Sequence, residues 1–397
     1  MNIKSHENQK IPQWLMLMLA IACGVIVANL YFAQPLIGPI SLALGISPQL
    51  SGMIVTLTQI GYGLGLLFIV PLSDLIENRK LILAVLVILL LALATIVVMP
   101  TASLFFLASF FVGIGAVAVQ ILVPYAAYLS SDEQRGRAVG NVMSGLLFGI
   151  MLARPVASFI TAAWGWNAVF ILAAGLIVLI MIMLRKYLPA RKPVPTMTYG
   201  QLIQSLWSLF KTVPILRRRA IYQAFLFSAF SLFWTVVPLW LVDAFALSQN
   251  GIALFSLAGV AGAIAAPVAG RLADRGWTRC LTGAAFILGS FAFLLTHFLQ
   301  DTAFALPILV VAAIVLDMAV SGNLILGQRA IYSLGSEIRG RLNGIFMAMF
   351  FLGGAVGSAI GGWSYAHYGW FLTSIIGLIL PLIAFVYYLT EQKIKHE

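Results

Sequence analysis

Two short basic boxes, Glu133-Gln134-Arg135-Gly136-Arg137 and Glu337-Ile338-Arg339-Gly340-Arg341, lie 204 residues apart, each between long apolar runs. In the runs that follow, Gly140 matches Gly344, Gly149 matches Gly353, and Gly165-Trp166 matches Gly369-Trp370 at the same offset. Before the boxes, Pro35 and Pro238 lie 203 apart, and Asp74 and Asp274 lie 200 apart. Matches in one order at nearly one spacing indicate duplication of a unit. The apolar runs identify that unit as a set of membrane spans.

A helix needs roughly 20 apolar residues to cross about 30 Å of hydrocarbon. Runs of that kind fall at 13–36, 51–72, 80–100, 103–129, 139–163 and 166–188, then at 217–245, 251–273, 279–298, 303–333, 339–366 and 369–390. The expected fold is therefore an all-α membrane protein of twelve transmembrane helices in two six-helix bundles, residues 1–188 and 217–397. Six spans per unit make the two repeats parallel. Composition agrees: 62% of the 397 residues are hydrophobic and 9% are charged, against about 25% charged in soluble domains. The run from Trp14 to Phe32 is longer than the core of a cleaved signal and reads as a first span. Cys23 stands in an apolar run and Cys280 beside a basic loop, which suggests no disulfide, redox or metal framework.

The charges are sorted. With the N-terminus inside, 22 of the 23 Lys and Arg residues fall on inner loops, tails and the central linker. They include Lys4, Lys10, Arg185, Lys186, Arg191, Lys192, Lys211, Arg217–Arg219, Arg271, Arg329, Lys393 and Lys395. The remaining one, Arg154, lies inside a span. This asymmetry places both termini in the cytoplasm of a multi-pass inner-membrane protein. The net charge of +11 is then an orientation signal facing anionic lipid, not a nucleic-acid footprint. In the linker, 189–216, Leu202, Leu206, Leu209 and Phe210 recur at helical spacing before Lys211. That spacing predicts a short interfacial helix.

The loop Gly270-Arg271-Leu272-Ala273-Asp274-Arg275-Gly276-Trp277-Thr278-Arg279 has the form Gly-x-Leu-x-Asp-Arg-x-Gly-x-Arg. Pro71-Leu72-Ser73-Asp74-Leu75-Ile76-Glu77-Asn78-Arg79-Lys80 is a weaker copy without the glycines. With these loops, the Arg-Gly-Arg boxes and the span count, the chain resembles the major facilitator superfamily over essentially its whole length. It is more similar to the twelve-span drug–proton antiporters than to the sugar porters. Gly145 to Pro155 resembles, in part, that branch's fifth-span motif, and Ser109 stands where the branch carries an arginine. The resemblance implies that spans 1, 4, 7 and 10 line a central cavity. It also implies that span 2 faces span 11 and span 5 faces span 8.

Against a background without charge, two residues stand out. A charged side chain at mid-depth costs about 2.5–3.5 kcal/mol on insertion scales, yet Arg154 and Asp317 both lie about halfway through spans. An aspartate can take up and release a proton, whereas an arginine cannot. Asp317 is thus a candidate for proton coupling or solute binding, and Arg154 for a fixed countercharge or an anion site. Depth allows a direct pair, although the resemblance does not set spans five and ten side by side. Asn29, Tyr31 and Gln34 precede Pro35 in span one, where a proline break can open carbonyls to a cavity. Gln120, Trp234, Asn323 and Gln328 are further lining candidates, with Gln59 and Tyr62 in span two. Each amide could equally hold two helices together. Asp74 with Arg79, and Asp274 with Arg275 and Arg279, sit at inner helix ends and suit a gate that stabilises one cavity state. Asp243 and Asp301 read as solvated charges on the outer surface. Gly61/Gly65, Gly145/Gly149 and Gly353/Gly357/Gly361 form small-residue faces that could pack statically or slide between states.

The expected function is secondary active transport of a small organic solute by alternating access, as proton-coupled efflux, by a monomer with protons and lipid as its other partners. An uncoupled facilitator or importer is the alternative. A membrane enzyme or sensor is a distant third. The four histidines (His6, His297, His367, His396) are scattered, with no zinc motif, phosphate loop or cofactor site.

Overall fold

The computed structural model describes residues 12–131, 134–298, 304–335 and 337–391. Lys4, His6, Lys10, Glu133, Asp301, Lys393, Lys395 and His396 lie outside them. Hydrocarbon offers the backbone no hydrogen-bond partner, so apolar runs this long satisfy themselves as helices. The helices are α1 (Gln13–Ala28), α2 (Ile37–Leu44), α3 (Met53–Phe68), α4 (Asn78–Val98), α5 (Ala102–Ala116), α6 (Ala118–Leu129), α7 (Arg135–Trp164) and α8 (Trp166–Tyr187). They continue as α9 (Tyr199–Thr212), α10 (Pro214–Phe245), α11 (Gln249–Ser256), α12 (Gly262–Asp274), α13 (Thr278–Phe298), α14 (Ala305–Tyr332) and α15 (Arg339–Leu389). Among the described residues, nine helical segments are long and apolar enough to cross a membrane. One of them, Arg339–Leu389, is two helices joined at Gly369.

Spans one and eight differ from expectation, because both are broken. The first does not end at residue 36. α1 stops at Ala28, the chain turns through a 3-10 segment at Gln34–Leu36, and α2 carries it on to Leu44. Pro35 supplies no N–H and favours the turn, while Pro39 sits in the first turn of α2, where a missing N–H costs nothing. In span eight the 3-10 segment Leu257–Ala261 separates α11 from α12. Both breaks border the site described below.

The repeated Gly-Trp pair has a conformational cause. Gly165 has φ 83° and ψ 165°, and Gly369 has φ 62° and ψ −156°. Both lie in a region open essentially to glycine alone. Each turns the chain between two antiparallel spans, and a Cβ at either position would meet nothing within 4 Å. Gly369→Ala should therefore cost about 1–3 kcal/mol through backbone strain alone. The check is a lower thermal midpoint with unchanged helical circular dichroism.

The glycine faces pack within each half and not across the boundary between the halves. Gly145 meets the Ala20 carbonyl and Gly149 that of Gly24, so α7 lies against α1. Gly353 meets Ala224 and Gly357 meets Ser228 in the same way, so α15 lies against α10. Ala224 and Ser228 stand 204 residues after Ala20 and Gly24, so the duplication also repeats this helix pair. Gly61 meets Phe110 and Gly65 meets Val117, both in the first half. A face with glycines four apart points to one neighbour only, and spacing does not say which. The halves do meet where the resemblance expects, α3 on α15 and α7 on α11, but other residues make the contact. Gly52 closes on Gly362, Gly63 on Leu352, and the Thr56 and Ser358 hydroxyls lie 2.7 Å apart.

The linker contains α9. Its N-cap Thr198 and Gln201 form a reciprocal capping box, which satisfies two backbone donors that would otherwise be orphaned. Leu202 and Leu206 are buried, and the Tyr199 hydroxyl donates to the Phe68 carbonyl at 2.9 Å.

Candidate functional site

Five of the predicted residues come together around one indole. Trp234 on α10 is 1% exposed. Its Nε1–H donates to Asp317 Oδ1 on α14 at 3.0 Å. The Arg154 guanidinium of α7 lies over its ring, with Cζ 4.3 Å from the centroid. Arg154 also lies 5.2 Å from the ring centroids of Tyr31 and Phe230. Its Nε donates to Gln34 Oε1 at 2.7 Å, and Gln34 is carried by the 3-10 turn that breaks span one. Arg154, Gln34 and Asp317 are all buried.

The direct pair does not form: the ion pairs of the described residues do not include Arg154 with Asp317. Helices α7 and α14 are kept apart by the 3-10 segment of span eight, which contacts both. A Cβ at Gly259 in that segment would stand 2.7 Å from Asp317 Oδ2, 3.2 Å from Trp234 Cζ2 and 3.4 Å from Arg154 Nη1. The carboxylate and the guanidinium therefore share the indole and the backbone of Gly259. A desolvated cation over an aromatic face gains roughly 2 kcal/mol, which helps to retain a charge this deep. Arg154 Nη2 and Gln34 Nε2 have no hydrogen-bond partner among the described residues. Each shares a carbon with one of the two atoms that bond each other: Arg154 Cζ carries Nη2 and Nε, and Gln34 Cδ carries Nε2 and Oε1. A buried donor left unmade costs roughly 1–3 kcal/mol, so this pair stands ready for an acceptor.

The other candidates lie elsewhere. Asn29 donates to the Val25 and Ile26 carbonyls of its own helix, so it ends α1 and does not join the cluster. Gln120 is bound to the Tyr62 hydroxyl at 2.9 Å, and the Tyr62 ring lies 4.4 Å from Phe351 of the second half. Gln59 reaches across the halves to Ser231 at 2.9 Å. Asn323 donates to Gln223 Oε1 at 2.7 Å, and Gln328 donates to Asn343 at 3.2 Å, both inside the second half. Phe230, Gln223, Ser231 and Gly259 are the residues the sequence reading missed. Gln223 was findable as an amide within a span, and Phe230 as the residue one turn before Trp234. Gly259 carries no chemical signal.

The loop charges pair differently from their order in the chain. Arg79 does not serve Asp74. It bonds the Leu188 carbonyl at 3.1 Å and lies 3.5 Å from Glu77. The charges facing Asp74 belong to Arg191 and to Arg341 of the second half. Asp274 pairs with Arg329, not Arg275, which is exposed. Arg279 holds the Glu391 carbonyl at 2.8 Å. Each of the two aspartates thus faces a cation from further along the chain and not the arginine next to it in sequence. Asp243 is exposed but accepts from the Tyr365 hydroxyl at 2.7 Å, so it is not simply solvated. At the opposite end of the spans from Asp74, Gln249 Nε2 donates to the Pro35 carbonyl at 3.0 Å, joining the halves there.

A family model described as Major Facilitator Superfamily matches residues 18–335. The uncharacterized transporter YgaY of Escherichia coli O157:H7 is 36% identical over 380 residues, covering 96% of each chain. The purine ribonucleoside efflux pump NepI of Escherichia coli O6:K15:H31 (strain 536 / UPEC) is 23% identical over 390 residues, covering 97% of this chain and 95% of that one. Among solved structures, a D-xylose–proton symporter superposes with a TM-score of 0.74 at 15% identity, covering 93% of this chain and 96% of that one.

Proposed function

The chain belongs to the Major Facilitator Superfamily, whose members carry small solutes across membranes, and from that premise we propose that it exports its solute in exchange for protons by alternating access. One observation carries the reading: a single indole takes the N–H···carboxylate bond of Asp317 and the stacked guanidinium of Arg154, and these come from opposite halves of the repeat. Hydrogen bonds to a charged acceptor are roughly twice as strong as neutral ones. A proton on Asp317 weakens the indole bond and removes a negative charge that faces Arg154. The contact between the halves then differs between the two protonation states, which is what coupling requires. Arg154 remains charged throughout, and its free Nη2, with Gln34 Nε2, receives an acceptor of the solute. Efflux as the direction draws support from the relative NepI, a purine ribonucleoside efflux pump.

The gate follows the same division. Gln249 with Pro35 seals the outer end. Asp74, facing Arg341 across the halves, acts at the inner end, where the Asp274–Arg329 pair and the Arg79 and Arg279 bonds hold the helix ends in each half. In this reading the protein is a monomer of the inner membrane with both termini cytoplasmic. Residues 1–188 and 217–397 rock as units about the 189–216 linker.

The test compares accumulation of a metabolite and drug panel in cells with and without the protein, then repeats it with a protonophore. Protein-dependent lowering of a solute that vanishes when the gradient collapses supports exchange. Lowering that survives identifies a facilitator. Arg154→Lys keeps the charge but loses the fork and the planar stack. Transport of the solute so found should fall about tenfold, the weight of one lost interaction of roughly 1.4 kcal/mol, and should not be restored by raising the proton gradient.

A further inference from the structure

On the face that carries the basic loops, α9 bridges the two halves and leaves a groove beside it. The groove has a volume of about 240 Å³ and is lined by Leu67 and Phe68 of α3, Ile203 and Trp207 of α9, and Ile345 and Met349 of α15, among others. Its mouth is open: Trp207 is 60% and Phe68 46% exposed. The lining is apolar, and the room suits a stretch of one hydrocarbon chain.

The charge around this groove has one sign. Between Glu133 and Asp243 the sequence holds no acidic residue, and residues 185–219 carry eight Lys and Arg. Lys211 lies one turn after Trp207 on the same face of α9, with its ammonium 4.7 Å from that ring. Arg217 donates to the Lys211 carbonyl at 3.0 Å, which brings a second cation to the same corner. Neither has an acidic partner among the described residues. Arg341, one turn before Ile345, already faces Asp74.

We infer that the groove is a binding site for an anionic phospholipid. One acyl chain lies along α9 between α3 and α15, and the phosphate rests on Lys211 and Arg217. A polybasic segment beside a membrane helix attracts anionic headgroups, and the groove adds a place for the chain that a diffuse electrostatic attraction lacks. Because α3, α9 and α15 belong to the first half, the linker and the second half, the bound lipid ties all three together and favours the arrangement in which they touch.

The test uses the purified full-length protein in detergent with phosphatidylethanolamine alone, or with about one fifth phosphatidylglycerol added. Native mass spectrometry reads lipid retention, and thermal unfolding reads stabilisation. Phosphatidylglycerol should be retained at least about tenfold more strongly than phosphatidylethanolamine and should raise the thermal midpoint. Met349→Trp, which fills the groove, should lose both effects while melting like the parent in lipid-free detergent. Lys211→Glu/Arg217→Glu should abolish the preference between the two lipids. Equal retention of both lipids by the parent, or undiminished phosphatidylglycerol retention by Met349→Trp, overturns the site. Loss by the charge variant alone does so too, because it reduces the effect to surface attraction.

Discussion

Asp317→Asn is expected to abolish uphill transport while leaving the solute able to cross down its own gradient. The substitution keeps the size of the side chain and an oxygen that can accept from Trp234 Nε1, now bonded to a carboxylate at 3.0 Å. What it removes is the ability to carry a negative charge and exchange it for a proton. With no coupling free energy between proton and solute, the steady-state concentration ratio across a proteoliposome under an imposed pH gradient should fall to about one. Counterflow of labelled against unlabelled solute should persist, because Arg154 and Gln34 keep their own bond at 2.7 Å. A variant that still concentrates solute against its gradient would falsify the coupling role. Loss of counterflow together with uphill transport would show that Asp317 binds solute.

Gly357→Leu should produce the largest loss of stability. A Cβ at Gly357 would overlap the carbonyl of Ser228, a backbone atom on a facing helix that cannot move aside alone. α10 and α15 must separate along a seam that also includes Gly353 against Ala224. Overpacking usually costs about 1–3 kcal/mol and more where backbone must shift, so a penalty of at least about 3 kcal/mol is expected. Gly340→Leu is the control, since a Cβ there meets nothing within 4 Å. The expected result is a collapsed monodisperse peak in fluorescence-detected size exclusion for Gly357→Leu and a normal one for Gly340→Leu. A Gly357→Leu variant that melts like the parent would show that this helix pair is not closely packed.

Much of the site was legible because membrane depth makes charge conspicuous. Arg154 and Asp317 were identified by cost alone, and both are buried at the centre. Trp234, Tyr31 and Gln34 carry a weaker signal, since an amide or an aromatic ring in a span has several uses. Asn29 shows the difficulty. Like Gln34 it carries an amide in span one, but it spends that amide on the carbonyls of its own helix. The choice between those outcomes depends on where the chain turns, a few residues further on.

The sequence by itself determined what is periodic or additive: the spans, the duplication at 204 residues, the sorting of 22 of 23 cations to loops and tails, and the two charges out of place. These follow from the cost of placing polar groups in hydrocarbon, which each residue meets independently of its neighbours. Only the tertiary structure decided which partner each group took. It set Arg154 and Asp317 on two sides of Trp234 instead of together. It turned the glycine faces inward within each half, gave Asp274 to Arg329, and brought Arg341 to face Asp74. Pairing depends on the rotation of one helix against another and on breaks such as Leu257–Ala261. A helix's own residue spacing carries no record of which neighbour will meet its face.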